Sequence, residues 1–205
     1  MFESLVAVAL GYLLGSIPSA ALIARLRGRS IFEIGSGNMG AMNTARNLGF
    51  LFGIVVLGMD IGKGALATFL GQQLASISGL GGTGALVPPL AAGLAAVLGH
   101  GWSVYIRFRG GKGLATTLGV GLPLYPIPAL FGLVTLIGMV LILRKANLAS
   151  AITVGIYPVI VLFALRSRGE PQEVAFTIFS GVLLLGLIGV IKHLPGLRRR
   201  ERPFF

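Results

Sequence analysis

The chain has 205 residues, of which 55% are hydrophobic and only 11% charged, and its formal net charge at pH 7 is +11. Successive apolar runs of roughly 20 residues fit the hydrocarbon layer of a bilayer better than one soluble core. The basic residues are dispersed among these runs, which argues against a nucleic-acid-binding face. Cysteine is absent, which excludes a disulfide framework, a thiolate nucleophile and a cysteine metal site. We predict an all-α polytopic membrane protein in which residues 1–205 form a single integral-membrane domain.

The hydrophobic runs predict about seven transmembrane helices. In chain order they cover residues 3–25, 50–73, 86–101, 113–124, 127–143, 147–165 and 174–192. The first run lacks a basic amino-terminal region and a small-residue cleavage site, so we expect a retained helix, not a signal peptide. The fourth is short and is followed by Pro123, Pro126 and Pro128, which favour a helix break. Six spans would reverse the orientation of everything downstream of it.

The distribution of Lys and Arg supports seven spans, because short cytoplasmic loops are enriched in these residues. Seven spans leave Arg166 and Arg168 on one side. The other side then collects Arg25, Arg27, Arg29, Arg46, Arg107, Arg109, Lys112, Arg144, Lys145, Lys192, Arg198, Arg199, Arg200 and Arg202. The amino terminus is therefore predicted outside and the carboxyl terminus in the cytoplasm. The run at 198–200 is expected to attract anionic lipid headgroups.

The first polar loop, Gly35-Ser-Gly-Asn-Met-Gly-Ala-Met-Asn43, is rich in glycine and amide side chains. Glycine permits close backbone approach to a ligand, while hydroxyl, amide and guanidinium groups donate hydrogen bonds to phosphate. We predict substrate binding by Ser36, Gly37, Asn38, Gly40, Asn43 and Arg46. The alternative is a flexible loop followed by a helix cap at Asn43 or Thr44.

The second polar loop, Gly110-Gly-Lys-Gly113, runs into an apolar segment, so helix amino-terminal amides are expected to meet phosphate oxygens there. Gly113 follows Lys112 where a nucleotide-binding P-loop has Ser or Thr, so no nucleotide is indicated. The alternative reading is a basic flank of the membrane, which suffices for Arg107 and Arg109. We favour Lys112 as a ligand. The predicted substrate-binding residues of this segment are Gly110, Gly111, Gly113 and Thr116.

Five further polar residues lie in or beside the spans. Asp60 and Lys63 share a helix face, and mutual neutralisation is preferred over direct catalysis. His193 is a candidate to exchange a proton with a substrate hydroxyl, with a helix-end cap as the alternative. Ser150 is assigned to substrate binding, the alternative being a hydrogen bond within its own helix. His100 is expected to be structural.

Several motifs together resemble the bacterial PlsY family, the membrane acyl-phosphate:glycerol-3-phosphate acyltransferases. They are Gly15-Ser-Ile-Pro18, the 35–43 loop with Arg46, Asp60 with Lys63, Gly99-His100, residues 108–116 and Leu148-Ala-Ser150. The resemblance implies seven spans in the bacterial inner membrane and a cytoplasmic active site. It implies transfer of a fatty acyl group from acyl phosphate to glycerol 3-phosphate, giving lysophosphatidic acid and phosphate in the first step of phospholipid synthesis. We expect a monomer that needs no cofactor, no metal and no nucleic acid.

The predicted catalytic residues are Lys112 and His193. The sequence departs from the family pattern in two places. Met42 stands where Thr is common, and Leu194-Pro195-Gly196 follows His193 where the family usually reads His-x-x-Asn-Ile. A membrane transporter for a phosphorylated metabolite is the alternative function, for which the intramembrane Asp60 and Lys63 would serve. The third possibility is an inactive or scaffolding relative of the family.

Overall fold

The computed structural model describes the backbone of residues 1–197 and the side chains of residues 1–194. The basic residues predicted to contact lipid headgroups, 198–200, lie outside these. The helices are α1 (Phe2–Ser16), α2 (Ser19–Leu26), α3 (Ala41–Leu48), α4 (Phe50–Ile77), α5 (Val87–Gly101), α6 (Leu114–Leu124), α7 (Pro126–Leu143), α8 (Ala146–Ser167) and α9 (Gln172–Leu197). Short 3-10 segments cover Gly82–Leu86 and Val104–Ile106.

The predicted all-α polytopic membrane fold is confirmed. Six helical stretches between residues 2 and 194 are long and apolar enough to cross a bilayer. The predicted fourth span is the shorter apolar helix α6, which has 11 residues. Large apolar side chains such as Phe50, Phe131 and Phe163 are exposed on the helix surfaces, as expected where lipid replaces water as the solvent.

The first predicted span is broken, whereas the sequence predicted one continuous helix over 3–25. It is interrupted at Ile17 and Pro18 because proline has no N–H to continue the helical ladder. The carbonyl of Ile17 accepts hydrogen bonds from Lys63 Nζ at 3.0 Å and from the Ser19 backbone N–H at 3.1 Å. The carbonyl of Ser16 accepts one from the Ser103 hydroxyl. Irregular backbone at membrane depth is tolerated only when other groups satisfy it in this way.

A buried polar cluster lies beside this break, centred on Asp60 Oδ1. Lys63 Nζ lies 2.8 Å from that atom, and the Ser19 hydroxyl donates to it at 2.9 Å. His100 Nδ1 lies 3.5 Å from the same oxygen. The predicted pairing of Asp60 with Lys63 is confirmed. Because Ser19 belongs to α2 and His100 to α5, the cluster joins three spans.

Helix α5 lies against α1 through small residues. A Cβ atom on Gly11 would collide with the backbone of Ala92, and one on Gly15 with that of Ala96. Close backbone approach through small residues is the usual way for helices to associate in a membrane. It brings the carboxyl end of α5, with His100, beside the break in the first span.

We predict that breaking the buried pair destabilises the fold more than replacing both partners does. Asp60→Asn leaves a buried ammonium without its carboxylate, which costs about 3–5 kcal/mol. The double variant Asp60→Asn/Lys63→Met removes both charges and is expected to recover part of that loss, because the Ile17 carbonyl still loses the hydrogen bond from Lys63. Thermal unfolding in detergent measures the three proteins. A double variant no more stable than Asp60→Asn would contradict this account.

Candidate active site

A cavity of about 280 Å³ lies between the two glycine-rich loops and the helices that follow them. One end is polar and is lined by Asn38, Lys112, Asn147, Ser150 and His193. The other end is apolar and is lined by Ala129, Leu133, Tyr157, Val182 and Leu185. Such a cavity suits a molecule with a polar head and a hydrocarbon tail.

The first glycine-rich loop is held in shape by Asn43. Its side-chain amide donates to the carbonyls of Ile34 at 3.2 Å and Asn38 at 3.0 Å. Its side-chain oxygen accepts from the Ser36 backbone N–H at 3.0 Å. The alternative of a helix cap at Asn43 or Thr44 is wrong, because α3 begins at Ala41 with Gly40 as its N-cap. Asn43 thus shapes the loop from within α3.

This loop reaches the cavity through Asn38 and Gly40. Ser36 and Arg46 are exposed and, like Gly37 and Asn43, lie outside the cavity lining. Substrate contacts by these four residues stay predictions. The sequence pattern selected a loop that reaches the cavity but did not distinguish the residues that face the cavity from those that shape the turn.

The second glycine-rich loop packs against the end of α5. Gly111 N–H donates to the His100 carbonyl at 3.0 Å. A Cβ on Gly111 would collide with the His100 ring and the Met39 carbonyl, and one on Gly110 with the carbonyls of His100 and Gly101. Neither glycine lines the cavity. Close packing accounts for their lack of a side chain, and substrate contacts by Gly110 and Gly111 stay predictions.

Lys112 and Gly113 continue from this packed segment into the cavity lining. The Lys112 ammonium group donates to the side-chain oxygen of Asn147. Gly113 has a φ of +83° and is the N-cap of α6, so the predicted start of a helix just after the loop is confirmed. Thr116 is buried outside the cavity lining, and Thr117 lines it instead. A cation and the amino terminus of a helix, both favourable for anions, therefore meet at the polar end.

His193 is a buried residue of α9 that lines the cavity. Its Nδ1 lies 2.7 Å from the Gly189 carbonyl oxygen. A carbonyl can only accept, so Nδ1 carries the hydrogen and Nε2 of the neutral ring is an acceptor. Nε2 is buried without a hydrogen-bond partner among the described residues. The side chain bonds within its own helix and leaves a basic nitrogen at the cavity.

Helix α9 is fixed at this level by the neighbouring residue. Lys192 Nζ donates to the Gly101 carbonyl at 2.7 Å and lies 4.3 Å from the centre of the Trp102 ring. The Tyr12 hydroxyl donates to the Trp102 carbonyl at 2.8 Å. These contacts connect α1 and the end of α5 with the end of α9 that carries His193.

Sequence reasoning missed Thr117 on α6 and two polar cavity residues on α8, Asn147 and Thr153. With Ser150 the latter two recur every three residues on α8, on the face that lines the cavity. That spacing after Arg144 and Lys145 was the available signal. Asp60 and His100 also contribute to the lining. Across residues 1–194, no three His, Asp or Glu side chains come together as a metal-ligand set.

Comparison with known proteins identifies the family. The family model for glycerol-3-phosphate acyltransferase matches residues 5–201. The chain belongs to the glycerol-3-phosphate acyltransferase family. Relatives of that name include one from Geobacter sulfurreducens, 37% identical and covering 97% of this chain and 94% of its own. Another, from Symbiobacterium thermophilum, is 43% identical and covers 95% of this chain and 90% of its own.

Solved structures of PlsY, an integral membrane glycerol 3-phosphate acyltransferase, share this fold. The glycerol 3-phosphate form has a TM-score of 0.80 and 32% identity, and covers 98% of this chain and 96% of its own. The lysophosphatidic acid form has a TM-score of 0.79 at the same identity, with coverage of 98% and 95%. The resemblance to the PlsY family predicted from the motifs is confirmed.

We predict that Gly111→Ala impairs this acyltransferase family member while Gly101→Ala does not. The added methyl group at 111 would displace the His100 ring or the loop that carries Lys112. A displacement of about 1 Å at a reacting site costs on the order of 100-fold in rate. At 101 the nearest atom, Lys192 Cε, would lie at an ordinary 3.5 Å. Acyl transfer to glycerol 3-phosphate measures both, and equal rates would contradict the packing role of Gly111.

Proposed function

We propose that this protein transfers a fatty acyl group from an acyl phosphate to glycerol 3-phosphate, giving lysophosphatidic acid and inorganic phosphate. This reaction is the first step of phospholipid synthesis. The observation that carries the proposal is a cavity whose polar end continues into an apolar end. Both substrates have anionic heads and one has a hydrocarbon chain, so this polarity fits their combined shape. The glycerol 3-phosphate and lysophosphatidic acid forms of the related PlsY structures support the acceptor and the product.

Lys112 and the start of α6 are proposed to bind a phosphate group. The ammonium group supplies a positive charge, and the first amides of α6 supply donors that the helix leaves unbonded. Asn38 and Ser150 add an amide and a hydroxyl at the same end of the cavity. In the mixed anhydride of an acyl phosphate the leaving group is already good, so binding and charge stabilisation supply most of the catalysis.

The reaction then requires one proton transfer. A hydroxyl oxygen of glycerol 3-phosphate attacks the acyl carbonyl carbon, and the bond from that carbon to the bridging oxygen breaks. Phosphate leaves with the electron pair. The hydroxyl proton passes to His193 Nε2 or to a substrate phosphate oxygen. The hydrogen bond from Nδ1 to Gly189 supports the first route, because it keeps Nε2 free of hydrogen.

The hydrocarbon chain is proposed to occupy the apolar end of the cavity. On α7, α8 and α9 the lining residues farthest along each helix from the polar end are Ala129, Tyr157 and Val182. All three pack in one apolar cluster together with Tyr125 and Val161. This cluster closes the cavity, so the length of chain that fits depends on it.

We further propose that the protein is a monomeric, single-domain enzyme of the bacterial inner membrane and needs no cofactor. The amino terminus lies outside, and the carboxyl terminus and active site face the cytoplasm. The concentration of Lys and Arg on the side of the two glycine-rich loops supports this orientation.

Lys112→Ala tests the proposed reaction. We expect palmitoyl phosphate to yield lysophosphatidic acid and phosphate only when glycerol 3-phosphate is present. Loss of the cation is expected to lower kcat about 100-fold, as removal of a transition-state donor does. Arg168→Ala, at the other end of α8, is the control and should keep normal activity. Thin-layer separation of the lipid product and a phosphate assay measure all three proteins.

Two results would contradict the proposal. Folded protein that releases no acceptor-dependent phosphate would exclude this reaction. Uptake of a phosphorylated metabolite into proteoliposomes without phosphate release would indicate the transporter instead.

Tyr157→Ala tests the location of the hydrocarbon chain. Removing the ring deepens the apolar end, so the longest chain transferred efficiently should increase in length. Phe163→Ala is the matched control, because this aromatic residue of α8 is 75% exposed and lies outside the cavity lining. Rates across a series of acyl phosphates measure the effect. An unchanged chain-length profile in Tyr157→Ala would place the chain elsewhere.

A further inference from the structure

Thr153 has a buried hydroxyl group that has no hydrogen-bond partner among residues 1–194. The residue is 5% exposed, and Oγ1 has no partner among the described residues. Two other buried threonines behave as threonine usually does inside a helix. Thr44 donates to the Gly40 carbonyl at 3.1 Å, and Thr68 to the Gly64 carbonyl at 3.0 Å. The hydroxyl of Thr153 is not used in this way.

The location of Thr153 gives its hydroxyl a use. It lines the cavity, whereas Thr116, which also has a buried hydroxyl without a partner, does not. The absence of a hydrogen-bond partner is therefore not sufficient to assign a function to a buried hydroxyl. The combination of a buried, unpartnered donor and a place in the cavity wall indicates a contact with the cavity's occupant.

Thr153 lies at the depth where the polar end of the cavity gives way to the apolar end. Val154 packs against Gly186 and Gly189 of α9. Ser150 precedes Val154 by four residues on α8, and His193 follows Gly189 by four residues on α9. Both steps lead towards the polar end of the cavity, so Ser150 and His193 lie at about the same level. Thr153 is three residues deeper than Ser150, about 4.5 Å at the rise of an α-helix.

We propose that the Thr153 hydroxyl donates a hydrogen bond to the carbonyl oxygen of the acyl donor. This inference rests on the proposed function. In an acyl phosphate the carbonyl stands between the phosphate and the hydrocarbon chain, and it can only accept. With phosphate at Lys112 and the chain against Tyr157, the carbonyl lies at the level of Thr153.

The same hydrogen bond strengthens as the reaction proceeds. When the acceptor hydroxyl adds to the carbonyl carbon, the π electrons move onto the carbonyl oxygen, which becomes negatively charged. That electron pair re-forms the double bond as the bond to the bridging oxygen breaks, and phosphate leaves with the electrons of the broken bond. A donor held at that oxygen in a water-excluded site stabilises the transition state more than the ground state. Thr153 gives up no proton and forms no covalent bond.

Kinetics of matched variants test this role. Thr153→Val keeps the shape but removes the hydroxyl, and should lower kcat about 100-fold with less than about threefold change in the KM for palmitoyl phosphate. Thr153→Ser keeps the hydroxyl and should stay within about threefold of the original kcat. Thr68→Val removes a buried hydroxyl from α4 outside the cavity and should leave kcat unchanged. Thr153→Ala replaces Thr153→Val if the latter does not fold.

A binding measurement separates this inference from the proposed reaction. The probe is a 2-oxoalkyl phosphonate, the analogue of an acyl phosphate in which a methylene group replaces the bridging oxygen. Its carbonyl carbon is labelled with ¹³C. Its carbonyl infrared band should move to higher frequency when it is bound to Thr153→Val instead of the original protein. A normal kcat in Thr153→Val, equal losses in Thr153→Val and Thr153→Ser, or an unmoved band would each overturn the assignment. Failure of the original protein to use acyl phosphate would instead overturn the proposed reaction.

Discussion

Asp60 Oδ1 is the atom on which the arrangement of this protein depends. A carboxylate inside a membrane protein is costly unless it is paired, and here Lys63, Ser19 and His100 all approach the same oxygen. Lys63 also donates to the carbonyl of Ile17 at the break in the first span. The ion pair therefore permits the chain to turn within the first span. That turn redirects it into α2 and the first glycine-rich loop.

The Asp60 cluster also positions the second glycine-rich loop, through His100. His100 ends α5, and its backbone carbonyl and its ring are both in close contact with Gly111. The loop that carries Lys112 is thus packed directly on the helix that the cluster holds. Lys192 attaches α9 to the same end of α5 through Gly101. Residues widely separated in the chain are in this way brought to one rigid end of the cavity.

The polarity of the cavity then follows from its walls. Along α8 the lining changes from Asn147 and Ser150 through Thr153 to Tyr157, from amide and hydroxyl groups to an aromatic ring. An acyl phosphate has the same order of polarity along its length. Under the proposed function, the protein needs few reactive side chains, because the substrate carries its own leaving group. Position and hydrogen bonding are what the walls supply.

The sequence alone determined the parts of this protein that depend on local composition. Apolar runs of membrane length predicted the spans, and three-residue spacing within one helix predicted the contact of Asp60 with Lys63. The glycine-rich segments identified both loops at the cavity, and with the other motifs they identified the family. The sequence did not show which residues face the cavity. Asn43 forms hydrogen bonds within its loop and Gly111 packs against His100, while Asn147 and Thr153 line the cavity.

Only the tertiary structure decided which polar residues meet. His100 reaches Asp60 across 40 positions of the chain, and Lys192 reaches Gly101 across 91. The break in the first span is stable because Lys63 lies beside it, which no pattern within residues 3–25 can show. The orientation of each loop residue depends likewise on the helix behind it. Composition fixes which segments enter the membrane, whereas the packing of distant helices fixes which side chains face the cavity.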